Sequence, residues 1–435
     1  MPKTERNDRL KNFMAKILIT GMGIVSALGN NVAENLKALH ENRSGIAPLH
    51  YLKTSHTDFP AGEVKMTNEE MITLLHIDKN VPTTRTSLIG MLAVQEALQN
   101  ANLSPLTSHP SPLTSHPSPL KIAFVSGTTV GGMDKSEQFY IDFLENDTQN
   151  AYISTHDCGA CTEMIADYFG IFSQIDTIST ACSSAANAII LGAELLKSGR
   201  ADVVVAGGSE CITKFHLNGF NTLMILDRQP CRPFDATRSG INLGEGAAYL
   251  VMESEDGYCR RLQDRNAIKN AWCKLSGYAN TCDAYHQTAS APDGEGAFLA
   301  MKKALELAQL SPEQIDYINA HGTGTENNDL SEGTAIMRLF DEKIPPVSST
   351  KSFTGHTTSA AGCVEAVISI LALQHNFIPS NLNFSQKMPE LTFAPYIDNN
   401  QLDKKNKTLK LKHVLSNSFG FGGNDSALIF SKLLP

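Results

Sequence analysis

The sequence predicts an α/β chain built on a parallel or mixed sheet with helices on both faces. Three observations carry this. Uninterrupted apolar strands alternate with helical stretches along the chain, as strands buried under crossover helices do. Two helical runs, 184–196 and 357–373, are apolar on nearly every face, which marks them as core helices. Both carry Ser-Ala-Ala near their starts, at 184–186 and 359–361, a sign of two similar halves.

Size and composition set the frame. A chain of 435 residues exceeds one simple core and fits two to three domain-sized units. With 42% hydrophobic and 19% charged residues it is an ordinary globular composition, not a disordered one. A net charge of -9 argues against nucleic acid as the main partner, while a local basic patch could still dock an acidic protein. Nine cysteines without regular spacing point to a reducing compartment. No run reaches the roughly 18 apolar residues of a membrane span. The charged first dozen residues have no apolar core of a secretory signal. A cytoplasmic location, without membrane contact, is the expectation by elimination. Residues 1–13 are expected to be either a disordered tail ahead of Met14 or a mis-called start.

The elements follow in order. Residues 16–20 read as a buried strand running into G-M-G-I-V-S-A-L-G. This is a poor dinucleotide fingerprint, because Ser26 stands where the third glycine belongs and no acidic residue closes a second strand. Gly21 and Gly23 are instead expected to form a turn that lets backbone pass closely. Helical periodicity covers 31–42 and 86–101. The tandem S-P-L-T-S-H-P repeat at 104–120 predicts an extended loop. A strand at 121–127 leads to G-T-T-V-G-G-M. Cys158-Gly-Ala-Cys161 lacks the second pair that a zinc site needs and the preceding strand that a redox motif needs. Strands are expected at 201–210 and within 232–254. The second half repeats the plan: 272–280, a helix at 294–308, 317–325, a helix near 329–340, 346–357, the apolar helix, and a strand–turn–strand at 414–430.

Cys182 lies between the extended segment ending at Thr180 and the apolar helix. At a helix N-terminus, unpaired N–H groups and the helix dipole favour thiolate, so this thiol is a candidate nucleophile. An inert buried cysteine is the alternative. His321, in H-G-T-G-T, leaves a strand beside glycine. His356, in K-S-F-T-G-H-T, opens the second apolar helix. A Cys with a His makes an acyl-transfer nucleophile, and two N–H donors can hold a carbonyl while charge builds on its oxygen.

T-A-C-S-S, H-G-T-G-T, S-S-T-K-S-x-T-G-H and N-S-F-G-F-G-G-N, in this order, resemble the β-ketoacyl-acyl carrier protein synthases of fatty-acid and type II polyketide synthesis, in particular the elongating Cys-His-His branch. The resemblance runs from about Lys16 to the C-terminus. R-P-F-D-A-x-R-x-G, L-G-E-G-A, D-A-Y-H-x-T-A and P-D-G-E-G-A support it.

It implies the thiolase fold, a five-layer αβαβα sandwich of two pseudo-symmetric halves, here expected at 14–265 with the nucleophile and 266–435 with the two histidines. It implies a homodimer, or a heterodimer with a related subunit. Cys182 would carry the acyl chain, received from acyl carrier protein. Backbone N–H groups of Cys182 and Phe421 would form the oxyanion hole. His321 and His356 would hold malonyl-carrier protein through decarboxylation. Lys351 and Glu365 would orient the site, and a cation near His keeps the ring neutral. Thr323 and Thr325 would bind the pantetheine arm. Phe421 would gate the pocket, and Phe419 would share that role or simply pack in the core. Lys79 and Arg85 are docking candidates for the carrier protein. No cofactor or metal is implied. E-N-N-D after H-G-T-G-T, T-T-S after G-H, I-N-L-G-E-G and the stretch 154–164 depart from the usual pattern. They point away from a housekeeping enzyme, towards a dedicated pathway such as aryl-polyene synthesis. A chain-length-factor-like partner and a thiolase are the alternatives. The first would lack the Cys, and the second would want a C-terminal C-x-G.

Overall fold

The computed structural model describes residues 16–103, 120–398 and 409–433. The tail at 1–13 and the Pro-rich repeat before Leu120 lie outside the described residues.

Among the described residues ten strands form one sheet: β1 Ile17–Ser26, β2 Ile122–Gly127, β3 Gln174–Ile178, β4 Val203–Glu210, β5 Gly246–Ser254, β6 Cys273–Cys282, β7 Tyr317–Asn319, β8 Val347–Ser348, β9 His413–Gly420 and β10 Asn424–Ser431. Their order is β3-β2-β4-β5-β1-β6-β10-β9-β7-β8. Adding five to each strand of the first block gives the second block reversed, so one connectivity is used twice. In each block the strand at the crossovers pairs in parallel: β2 with β3 and β4, β7 with β8 and β9. The blocks join only along Ile17–Ile19 of β1, antiparallel to Cys273–Leu275 of β6.

The principal helices are α1 Val32–His40, α2 Asn68–Leu74, α3 Arg85–Asn100, α4 Met133–Glu145, α5 Cys158–Phe169, α6 Ser184–Lys197, α7 Lys214–Thr222, α8 Glu255–Leu262, α9 Glu295–Ala308, α10 Glu326–Phe340 and α11 Ala361–His375. α3 packs on β1 and β5 with α5 behind it, and α9 packs on β6 and β10 with α10 beside it. α6 and α11 touch each other in the middle; α6 lies against β2 and β4, and α11 reaches β9 and β5. This is the αβαβα layering. It explains why both central helices are apolar all round: each faces sheet on both sides. The stretch Thr358–His375 is long and apolar enough to pass for a membrane span, contrary to the reading that no run reaches that length. It is 89% buried inside the protein, as a core helix must be.

Most expected elements stand within a few residues of their predicted ends. Gly21 and Gly23 make no turn, because β1 continues through them to Ser26. Their use is close approach: a Cβ on Gly23 would lie 2.1 Å from the Ala93 carbonyl oxygen of α3. That helix starts in a capping box, with Thr84 accepting from the Ser87 amide and Ser87 Oγ accepting from the Thr84 amide. Cys158 and Cys161 lie on α5 with free thiols. No cluster able to hold a metal occurs among the described residues.

Candidate active site

The site lies where the crossovers of both blocks end. Cys182 precedes α6 and is buried, with 7% exposure. Helix α6 begins at Ser184 with Ser183 as its cap, so Cys182 stands just ahead of the helix. The bend depends on Ala181, which holds a positive φ of 51° and so a left-handed conformation rarely adopted outside glycine. Hydrogen bonds fix the bend: the Thr180 amide donates to Ser184 Oγ at 2.9 Å, and Asn187 Nδ2 to Thr180 Oγ1 at 2.8 Å. Gly420 lies against this bend; a Cβ there would sit 2.9 Å from the Thr180 carbonyl oxygen and 3.2 Å from the Cys182 amide nitrogen.

His356 Nε2 is 3.1 Å from Cys182 Sγ. The His356 ring stands 84° to that of His321, with centroids 5.3 Å apart. His321 is held from behind. Lys351 Nζ lies 3.2 Å from its Nδ1, donates to its carbonyl oxygen at 2.6 Å, and pairs with Glu365. An ammonium can only donate, so Nδ1 of His321 is the acceptor and its proton sits on Nε2. That makes His321 a donor on its free edge. Burial, with Lys351 as the next cause, pushes both histidines well below the usual range, so both rings are neutral. Glu365 is raised to about 7 by burial, opposed by Lys351.

Cys182 departs from the sequence expectation. Burial pushes its thiol up to about 11, and neither the Lys351 charge nor the Phe421 N–H donating to the sulfur offsets this. At neutral pH the thiol is protonated, and His356 Nε2 is placed to take the proton as the sulfur attacks.

Thr323 and Thr325 bond each other at 2.9 Å through their hydroxyls and line the same pocket, of about 410 Å³, as Cys182, His321, His356 and Phe421. Phe419 is buried with its ring 5.7 Å from that of His321, and Phe421 is half-buried, stacked 6.0 Å from Phe220. All nine sequence-predicted site residues therefore gather in or behind one pocket.

Arg85 does not present a free surface charge. It binds Glu245, buried at 2% exposure, with Nη2 2.5 Å from Oε1, and donates to the Val64 and Met66 carbonyls. It is a structural ion pair, and of the two docking candidates only Lys79 is exposed.

The sequence reading missed the acids that build the histidine loop. Glu332 on α10 accepts from the amides of His321 at 2.9 Å and Gly322 at 2.7 Å, and from Asn417 Nδ2 at 3.0 Å. Asp329, one turn earlier, accepts from the Gly324 and Phe234 amides and pairs with Arg238. Two acids three residues apart on a helix share a face, which was the available signal. In the other half Glu210 accepts from the Thr129 and Val130 amides and binds the Ser359 hydroxyl, tying the loop after β2 to the segment after His356.

The family model for the beta-ketoacyl synthase N-terminal domain matches residues 14–257, and that for the C-terminal domain matches 272–385. The chain belongs to the beta-ketoacyl synthase family. It is a ketosynthase, an acyltransferase of the condensing class that serves fatty-acid and polyketide synthesis. It is 31% identical to 3-oxoacyl-[acyl-carrier-protein] synthase 2 of Staphylococcus aureus, over 96% of this chain and 98% of that one. The Coxiella burnetii enzyme of the same name is 32% identical, over 96% and 99%. Among solved structures it is similar to the ishigamide ketosynthase/chain length factor (TM-score 0.82, 26% identity, covering 97% and 100%). It is also similar to a ketosynthase from Xenorhabdus doucetiae in complex with its chain length factor (TM-score 0.79, 28% identity, covering 96% and 98%). Every residue of the ketosynthase pocket described above lies within the matched spans or in the strand–turn–strand that follows them.

Proposed function

We propose that this ketosynthase joins an acyl group carried on Cys182 to malonyl-acyl carrier protein, releasing CO2 and 3-oxoacyl-carrier protein. The observation that carries the assignment is one pocket holding a thiol 3.1 Å from a neutral imidazole and a second imidazole whose proton is fixed on its free edge. The thiol passes its proton to His356 Nε2 as the sulfur adds to the incoming thioester; the carrier thiolate leaves and takes its proton from water, so His356 keeps an N–H facing the pocket. The oxyanion faces the Cys182 and Phe421 amides. Malonyl thioester then binds with its carbonyl oxygen between His321 and His356. Loss of CO2 leaves an enolate on that oxygen, and the two N–H groups stabilise it. Its carbon attacks the acyl thioester, the C–S bond breaks, and the departing Cys182 sulfur takes its proton back from His356. Lys351 and Glu365 hold His321 in its tautomer, Thr323 and Thr325 line the path of the pantetheine arm, and Phe421 closes over it with Phe419 behind. No cofactor takes part.

The repeated strand order supports halves at 14–265 and 266–435. The carrier protein is the partner, and Lys79 is its remaining docking candidate. Helix α4 buries none of its residues and exposes Tyr140, Ile141 and Leu144, which supports a dimer covering that face. The solved ketosynthase–chain length factor pairs favour a related subunit as that mate; the departures after H-G-T-G-T and G-H support a dedicated polyene or polyketide pathway, and the irregular cysteine spacing supports a cytoplasmic location.

The test is Cys182→Gln, whose amide mimics the acyl thioester. Purified variant should release CO2 from malonyl-carrier protein faster than wild type while forming no condensation product. CO2 release at background rate would remove the two-histidine role.

A further inference from the structure

The loop after β6 crosses the pocket mouth and contributes Thr288, Ala289 and Ser290 to its wall. It is tied to the Phe421 turn and to α10. The Gly422 amide donates to the Gln287 carbonyl at 2.8 Å, and the Asp283 amide to the Gly423 carbonyl at 3.2 Å. Asn327 of α10 bonds Ser290 twice, Nδ2 to its carbonyl at 3.2 Å and Oδ1 from its amide at 2.8 Å. The strap is organised by the Asp283 carboxylate, which accepts from the Tyr285 and Ala291 amides, each at 3.0 Å. It sits hard against the glycine turn that carries Phe421: a Cβ on Gly423, at φ 76°, would lie 2.1 Å from Asp283 Oδ1.

Asp425 is the second residue of β10, the strand that leaves this turn, and is 4% exposed. Its carboxyl lies beside the first turn of α9, where a Cβ on Gly296 would meet Asp425 Oδ2 at 1.9 Å and the Asp283 Cβ at 2.8 Å. The two side chains thus converge on one point. None of the described residues donates a hydrogen bond to the Asp425 carboxyl, whereas Asp283 accepts two. The charged groups facing it are Asp283 from the strap and Glu332 from α10.

We propose that Asp425 is a positioning residue, whose neutral carboxyl lets Asp283 hold the strap against the Phe421 turn and whose ionisation loosens that hold. This deepens the reading of the Phe421 turn given under Proposed function and rests on it. Burial, then Asp283, then Glu332 push the Asp425 carboxyl up to about 8, so the neutral form prevails at neutral pH. Above that, a charge on Asp425 stands in a poorly solvated space against the Asp283 side chain that converges on it. A raised folded-state value means that the folded chain holds a proton the unfolded one has lost, so stability falls as pH rises from the ordinary carboxylate range to about 8.

The experiment compares Cys182→Gln with Cys182→Gln/Asp425→Asn, which removes the thiol from the titration. CO2 release from malonyl-carrier protein is followed from pH 6.5 to 9.5, and melting temperature over the same range. With Asp425 present, kcat/KM should fall about tenfold per pH unit above 8. In the Asp425→Asn protein it should stay flat, and that variant's melting-temperature advantage should be larger at pH 9 than at pH 6.5. The same pH profile and the same melting curve with either residue would overturn the proposal. No CO2 release from either protein would instead refute the two-histidine reading. Asp425→Ser, neutral and smaller, carries the comparison if Asp425→Asn does not fold.

Discussion

The two blocks of the sheet share one connectivity yet supply different chemistry. After β3 the first block presents a thiol at the bend before α6. After β8 the second presents His356 at the equivalent bend before α11, and after β7 it adds His321. The charges differ as sharply. Lys351, Glu365, Glu332 and Asp329 all belong to the second block, and each is buried. The first block buries acids as well, but puts them to structural use: Glu210, raised to about 7 by burial, ties the loop after β2, Glu245 pairs with Arg85, and Glu253 pairs with Arg261. A duplicated frame thus sets where reactive groups can stand, and the buried Lys351–Glu365 pair behind His321 is what wires the decarboxylating side.

The comparison breaks most visibly at the nucleophile. Cys182→Ala should abolish condensation, by about 10³-fold or more, with an unchanged melting curve. Retained condensation, read by mass of the carrier-protein product, would mean that the first block does not supply the acyl carrier. Next, Lys351→Met tests the wiring. It leaves Glu365 buried without its cation, at a cost of about 3–5 kcal/mol in denaturant unfolding, and frees the tautomer of His321. CO2 release should drop more than the loading of Cys182 by an acyl group. Equal losses in both half-reactions would show that the ammonium serves the whole pocket. The gentlest test is titration. Both histidines are held well below their usual value, so their ring NMR signals should not move between pH 8 and 6. The unfolded chain would bind protons there that the folded one refuses, so these rings make stability fall as pH drops below about 6.5. A ring titrating near 6.5 would place that histidine in contact with solvent.

Much of this was legible before any coordinates. Apolar runs gave the strands, and helices apolar on all faces gave the central layer, because burial leaves its mark on every face of an element. Cys182, His321 and His356 stood out because each breaks such a run beside small residues. The acids were not legible. Glu332 and Asp329 sit in a helix of mixed composition; their spacing puts them on one face, but it does not show that this face points at amides of a loop before them in sequence. Arg85 was misread for a related reason: its partner Glu245 is 160 residues away, and a charge ahead of a helix looks exposed until that partner is seen. The thiol was misread because a helix tip is visible in sequence and the burial that outweighs it is not.

The middle layer has a consequence for how such a molecule is born. Helix α11 carries His356 at its head and is as greasy as a membrane anchor. It has no resting place until both sheet blocks exist, since it lies between them. A nascent chain that has completed only the first block therefore displays α6 with one flank bare, and the second greasy helix emerges later to cover it. Reactivity and solubility arrive in the same step, and the period before it is when the chain most needs a chaperone.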